Sequence, residues 1–222
     1  EQTSRPPKMI NTPPPANAYS SALTSLIHTT GKTCFVYGTL MAPEVLSTLL
    51  GRVPPMVEQV NLPPSFVRHP VRGQVFPGVV THSAAATAAA VGSLDNNSCD
   101  TKLSLGVSGI LLTDLQHHEI EKLDWFEGDE YTRTETYVRL TPEPHLLNKA
   151  KKLLGKVDDE IMQQNWYDIQ TETYIWSNPI TELNLSVPWN YHYFRQKYLS
   201  WYLQHTVEPC KKEMDSLGIG KQ

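Results

Sequence analysis

The run Cys34-Phe35-Val36-Tyr37-Gly38-Thr39-Leu40-Met41 is the stretch on which the reading of this chain turns. Its first four residues form a short apolar strand. Gly38, which has no Cβ, then releases the backbone into a turn. A strand that ends in this way leaves amide groups in need of partners, and consecutive amides hold a carboxylate or a developing oxyanion. A plain tight turn carries the same letters, and the Tyr37 phenol either orients a substrate or is half-buried with its hydroxyl satisfied. Just beyond, Pro43 suits the first turn of a helix in which Val45, Leu46, Leu49 and Leu50 recur at helical spacing.

A second feature lies some ninety residues downstream, in Leu123-Asp124-Trp125-Phe126-Glu127-Gly128-Asp129-Glu130-Tyr131. Thr113 is expected to cap the helix leading into it, with Gln116 three places on completing the capping pair. Leu115, Ile120 and Leu123 supply a buried stripe. Glu127 falls seven residues after Ile120 and four after Leu123, so it continues the inward face, and Gly128 is suited to stop the helix. A glutamate beside a glycine at a helix end is ordinarily just a turn residue. Here Leu123, Trp125 and Phe126 surround it, and desolvation raises a carboxyl pKa toward the range useful for proton exchange near neutrality. Asp124, Asp129 and Glu130 read as capping, turn-forming or solvating groups, any of which can push that pKa further.

Outward from these two features the chain falls into one domain at 33–205, flanked by a proline-rich arm at 1–32 and a tail at 206–222. Phe66 to Phe76 reads as a bent or edge sheet region, Leu105 to Leu112 as a strand with glycine irregularities, and Tyr131 to Leu140 as a strand with one polar face. The stretch 81–104, with Ala84 to Ala90 and then Gly92 to Ser98, reads as a low-complexity insertion, helical in its first half. Pro142 to Leu154 is an amphipathic helix, Thr171 to Trp176 a strand, and Trp189 to Tyr202 an aromatic-rich helical segment that reads as packing.

Composition removes several classes of function. Nineteen basic residues against 23 acidic, a formal charge of −4, give no field for a phosphate backbone, so nucleic acid is not an expected partner. The three cysteines, Cys34, Cys99 and Cys210, are too few and too scattered for a disulfide framework, and Cys34 reads as a core residue. The histidines lack ligand spacing, so no metal site is expected. There is no nucleophile elbow, phosphate-cradling loop or dinucleotide fingerprint. No apolar run is long enough for a membrane span and no secretory pattern opens the sequence, so a cytoplasmic location is expected.

In order along the chain, Phe35-Val36-Tyr37-Gly38-Thr39-Leu40, then Arg72-Gly73-Gln74-Val75-Phe76-Pro77, then Leu123 through Arg133 together resemble the gamma-glutamylcyclotransferase-like superfamily. The likeness is strongest to its plant avirulence-induced and gamma-glutamylamine cyclotransferase branches. It covers about Cys34 to Leu140, and continues more weakly through Thr173 to Trp176 and Trp189 to Tyr202.

The resemblance implies an α+β fold: a small twisted mixed β-barrel with packed helices and a pocket at its mouth. It also implies that Tyr37, Gly38, Thr39 and Leu40 hold the glutamyl part of a substrate through backbone groups. Glu127 would be the catalytic carboxylate, with Tyr131 an aromatic beside the pocket. The implied reaction is cyclisation of a gamma-glutamyl compound to 5-oxoproline with release of an amine or amino acid, without cofactor or metal. Three departures from compact members, the proline-rich front, the alanine-rich insertion and the enlarged C-terminal third, can narrow the pocket or recruit a protein partner. The leaving amine stays open. The alternative reading is a non-catalytic small-molecule-binding or protein-interaction module on the same fold.

Overall fold

Strand β2 (Lys32–Val36) has no polar face in its apolar run, and the reason is that it is buried on both sides: Cys34, Phe35 and Val36 are all at most 2% exposed. The computed structural model describes residues 26–27, 32–92, 106–140, 143–154 and 167–221. Around β2 lie β3 (Met56–Asn61), β6 (Ser108–Leu115), β7 (Tyr131–Leu140) and β8 (Tyr167–Trp176). β2 pairs antiparallel with β6, β6 with β3, β3 with β7 and β7 with β8. β8 then returns to β2 in parallel through Cys34–Glu172 and Phe35–Thr173, so the ladder closes into a mixed ring. A separate hairpin, β4 (Phe66–Pro70) with β5 (Pro77–Thr81), completes the sheet structure.

Alternation along the ring strands sorts most of their side chains into two large clusters, while a third and smaller one joins Val71, Val80, Ala85, Trp176 and Leu183. Phe35, Tyr37, Leu111, Val138 and Ile169 share an inner cluster with Leu146, Leu147, Ala150 and Leu154 of α4 (Pro144–Leu154). Cys34, Val36 and Leu112 face outward beneath α1 (Pro43–Leu50), α3 (His117–Glu127) and the C-terminal helices. α5 (Tyr191–Lys197) is followed by α6 (Leu199–Tyr202), a π turn at Leu203–Val207 and α7 (Glu208–Leu217).

Several expectations change. The tail begins too early at 206: Val207 and Met214 are fully buried in the outer core, so the domain runs on through α7. Val207, Cys210 and Met214 carry the helical spacing, but charged neighbours such as Lys211, Lys212 and Glu213 mask it. The arm at 1–32 contributes β1 (Leu26–Ile27), paired in parallel with β8 at Asp168 and Ile169, and Lys32 opens β2; residues 1–25 and 28–31 lie outside the described residues. In the expected insertion, Thr81 closes β5 and α2 (His82–Gly92) follows, while 93–105 lie outside the described residues. Residues 71–76 link β4 to β5 rather than extending a strand.

The expected cap at Thr113 lies within β6, because its amide and hydroxyl both donate to the carbonyl of Pro55, at 2.8 and 3.0 Å. The cap is Gln116, whose amide donates to Glu119 Oε2 at 2.9 Å. Strand β3 has no counterpart in the sequence reading. Gln59 adopts φ 58°, the register shifts between Glu58 and Val60, and Val57 and Val60 both end up inside, which breaks the period-two pattern. Among the described residues no helix is long and apolar enough to cross a membrane.

Candidate active site

The turn after β2 is built by close approach. A Cβ on Gly38 would sit 3.1 Å from the Pro77 ring, so glycine lets the turn pack directly on the β5 end of the hairpin. Thr39 to Met41 form a short 3-10 turn in which Met41 N–H donates to Gly38 O and Ala42 N–H to Thr39 O, both at 3.1 Å. The Gly38 and Thr39 carbonyls are thereby used. The amides of Thr39 and Leu40 open the turn, where no intrahelical acceptor exists, and no side chain caps them.

Arg68 of β4 fixes the peptide that enters this turn. Its Nη1 donates to the Tyr37 carbonyl and, at 3.2 Å, to that of Ser108, while its guanidinium lies 5.1 Å from the centre of the Trp189 ring. No carboxylate pairs with it among the described residues. In a planar trans peptide the next N–H points opposite the carbonyl, so the tether on Tyr37 O sets the direction of the Gly38 amide. The Tyr37 phenol donates to Tyr174 O at 2.6 Å within the inner core, so its hydroxyl is committed.

Glu127 is the last residue of α3, and Gly128, at φ 61°, turns the chain away while its N–H donates to Asp124 O. The inward stripe of Ile120 and Leu123 is buried as its spacing requires. Glu127 is half-buried because it faces a cavity of about 180 Å³, shared with Tyr37, Gly38, Thr39, Leu40 and Tyr131. The structure therefore brings all six sequence-predicted site residues to one wall system. Among the described residues Glu127 has no hydrogen bond or ion pair. Burial, then the nearby Glu130 charge, push its pKa up to about 8. The helix C-terminus, itself the negative end of the dipole, disfavours the carboxylate in the same direction.

The neighbouring acids have other work. Asp124 is clamped by Arg133, at 2.8 and 3.2 Å, and by the Tyr174 hydroxyl at 2.8 Å, and Arg133 also bridges to Glu172. That network ties α3 to β7 and β8. Asp129 is exposed, and Glu130 is exposed at the cavity mouth, its pKa raised by burial and then by Glu182. Tyr131 donates its hydroxyl to Pro77 O at 3.0 Å and packs edge-on to Trp176. Cys34 is fully buried and its thiol pKa is pushed far up by that burial, so it is an inert core residue.

Sequence reasoning missed Glu130, Tyr174, Tyr202 and Thr206 as cavity residues, along with the Phe76–Pro77 wall. Tyr202 was absorbed in the aromatic segment read as packing. That reading fits Trp189, Phe194 and Tyr202, all buried, whereas Tyr193 and Trp201 are more than half exposed, at 53% and 51%. Among the described residues no Lys, Arg or His lines the cavity, and there is no His/Cys/Asp/Glu grouping arranged for a metal ion.

The family described as gamma-glutamyl cyclotransferase, AIG2-like, matches residues 34–191. The chain belongs to that family. AIG2-like protein D of Arabidopsis thaliana is 27% identical over 174 residues, covering 78% of this chain and 86% of the relative. AIG2-like protein C of the same plant is 28% identical over 162 residues, 73% of this chain and 68% of its own. Among solved structures, a glutathione-specific gamma-glutamyl cyclotransferase from yeast overlays with a TM-score of 0.42 at 13% identity, over 85% of this chain and 96% of that one. In this gamma-glutamyl cyclotransferase, AIG2-like chain the turn at 38–40 and Glu127 both fall inside the family match. Tyr202 and Thr206 fall beyond it.

Proposed function

We propose that the chain cyclises gamma-glutamyl compounds to 5-oxoproline, releasing the amine or amino acid that the gamma-carbonyl carried. The observation that carries this reading is that Glu127, a carboxylate with its pKa pushed up to about 8, lines the same small cavity as the 38–40 turn. The cavity, at about 180 Å³, is below the roughly 300–1,000 Å³ of sites that enclose drug-sized ligands, which suits a glutamyl head with the remainder projecting outward.

The substrate's alpha-ammonium gives a proton to Glu127, whose raised pKa, about 8, makes it a far better match for that ammonium than an ordinary carboxylate would be. The freed amine attacks the gamma-carbonyl carbon and forms the ring C–N bond. Negative charge on the carbonyl oxygen is met by the turn amides; a single such donor is worth about 2.7–4 kcal/mol in a preorganised site. Glu127 returns the proton to the departing nitrogen, the old C–N bond breaks, and the carbonyl reforms. The ring nitrogen sheds its second proton as the lactam forms, so two protons in all pass from it by way of Glu127 to the departing nitrogen, which leaves as an ammonium; one C–N bond is made, one is broken, and no water is consumed. Holding both reacting ends of one molecule together contributes up to roughly 7–11 kcal/mol, so neither a protein nucleophile nor a cofactor is required.

Product analysis tests the reading. Incubation with gamma-glutamyl amides and dipeptides is expected to yield 5-oxoproline and free amine in equal amounts. Glutamate in place of 5-oxoproline would mean hydrolysis and refute cyclisation. Saturable binding without either product would establish the non-catalytic module instead.

A further inference from the structure

The cavity wall does not end where the family match ends, at residue 191. α6 leads into the π turn at Leu203–Val207, and from this helix Tyr202 and Thr206 reach the cavity. Single π turns inside α-helices recur at functional positions, since the wider turn changes where side chains point. Tyr202 is 3% exposed, with its hydroxyl oxygen 3.4 Å from Thr39 Oγ1, and so belongs to the deep end beside the 38–40 turn. Thr206, one helical turn on, is half-buried where Tyr202 is enclosed, and so lies on a more open part of the cavity lining.

The Thr206 hydroxyl is unusual for a helical threonine. Thr48 and Thr87 donate theirs to the carbonyl four residues back, at 2.8 and 2.9 Å. Thr206 makes no such bond, nor any other side-chain hydrogen bond among the described residues, so one donor and two acceptor positions are left for a ligand in the cavity that it lines.

We propose that Thr206 is a specificity-determining residue that reads polar groups on the leaving amine, while the deep end handles the glutamyl head. The proposal rests on the cavity being a gamma-glutamyl site. The C-terminal helix is then part of the substrate pocket as well as of the core.

The test compares two substrates with one head, gamma-glutamyl-ethylamide and gamma-glutamyl-alanine, in wild type, T206V and T206S. T206V keeps the shape and removes the hydroxyl. It is expected to lower kcat/KM for the alanine compound roughly 10- to 100-fold relative to the ethylamide, the factor that a hydrogen bond to a charged group such as the alanine carboxylate carries, chiefly through KM and with unchanged melting temperature. T206S is expected to keep the wild-type ratio. An equal change for both substrates, or T206S matching T206V, overturns the assignment. The same pair of ligands is titrated calorimetrically against E127Q and E127Q/T206V. If wild type cyclises neither compound, the cyclisation reading fails on its own. The Kd ratio still decides Thr206: a shift between the two proteins supports it and an unchanged ratio overturns it.

Discussion

The last turn of α3 is the negative end of the helix dipole, and among the described residues no cation meets the Glu127 carboxylate there. Its raised pKa has two consequences of known sign. As a base Glu127 works when deprotonated, so kcat/KM should climb with pH and level off only above about 8. The Glu130 charge helps to hold the proton on Glu127, so E130Q should shift that limb toward lower pH, which a pH–rate profile measures. Stability moves the other way. The folded pKa lies above the unfolded value of about 4.3, so the folded state keeps its proton longer, and stability is lost as pH rises from there to about 8. E127Q should therefore raise the melting temperature at pH 8 and leave it nearly unchanged at pH 4; equal gains at both would contradict the linkage. The position of Glu127 was legible because the helical period of Ile120 and Leu123 continues to it and Gly128 stops the helix. Its unpaired state was not, since which cations reach a site depends on contacts distant in sequence, as Arg133 to Asp124 and Glu172 illustrates.

Among the elements, the 38–40 turn gains its rigidity from the neighbouring hairpin. Pro77 blocks one side of Gly38, and Arg68 holds the carbonyl of Tyr37 from another. G38A must displace its neighbour by a few tenths of an ångström. It should lower kcat about tenfold, less than the ~100-fold that a 1 Å misplacement costs. R68M, which removes the tether to Tyr37 but keeps much of the stem, should lower kcat by a similar factor with a smaller change in KM; steady-state kinetics separate the two. A turn that tolerated both changes would not be holding a developing charge. The strand and its glycine could be read locally. The hairpin's part could not, because Arg68 meets Tyr37 across 31 residues and β3 hides behind a bulge at Gln59.

The whole molecule is a closed ring of strands with one core inside and another beneath a layer of helices. The two-sided burial of Cys34 to Val36 announces such a fold. Closure of the ring by β8 against both β2 and β7 rests on long-range register that local pattern does not encode. The same limit explains the misplaced C-terminal boundary: α7 looks polar, yet Met214 is fully buried against the helix layer. M214A should cost about 2–5 kcal/mol in chemical denaturation, as large-to-small core changes do; a loss under ~0.5 kcal/mol, the range of ordinary surface changes, would mean that α7 is the detachable tail the sequence suggested.

The central claim is that Glu127 moves the proton during cyclisation, and the most direct measurement is 5-oxoproline release quantified by mass spectrometry for wild type and E127Q on the same gamma-glutamyl substrates. The account predicts release by wild type and a loss of at least ~100-fold in E127Q, the lower end of what a positioned acid–base group contributes, with the variant still folded and still binding substrate. Turnover by E127Q at the wild-type rate would contradict it.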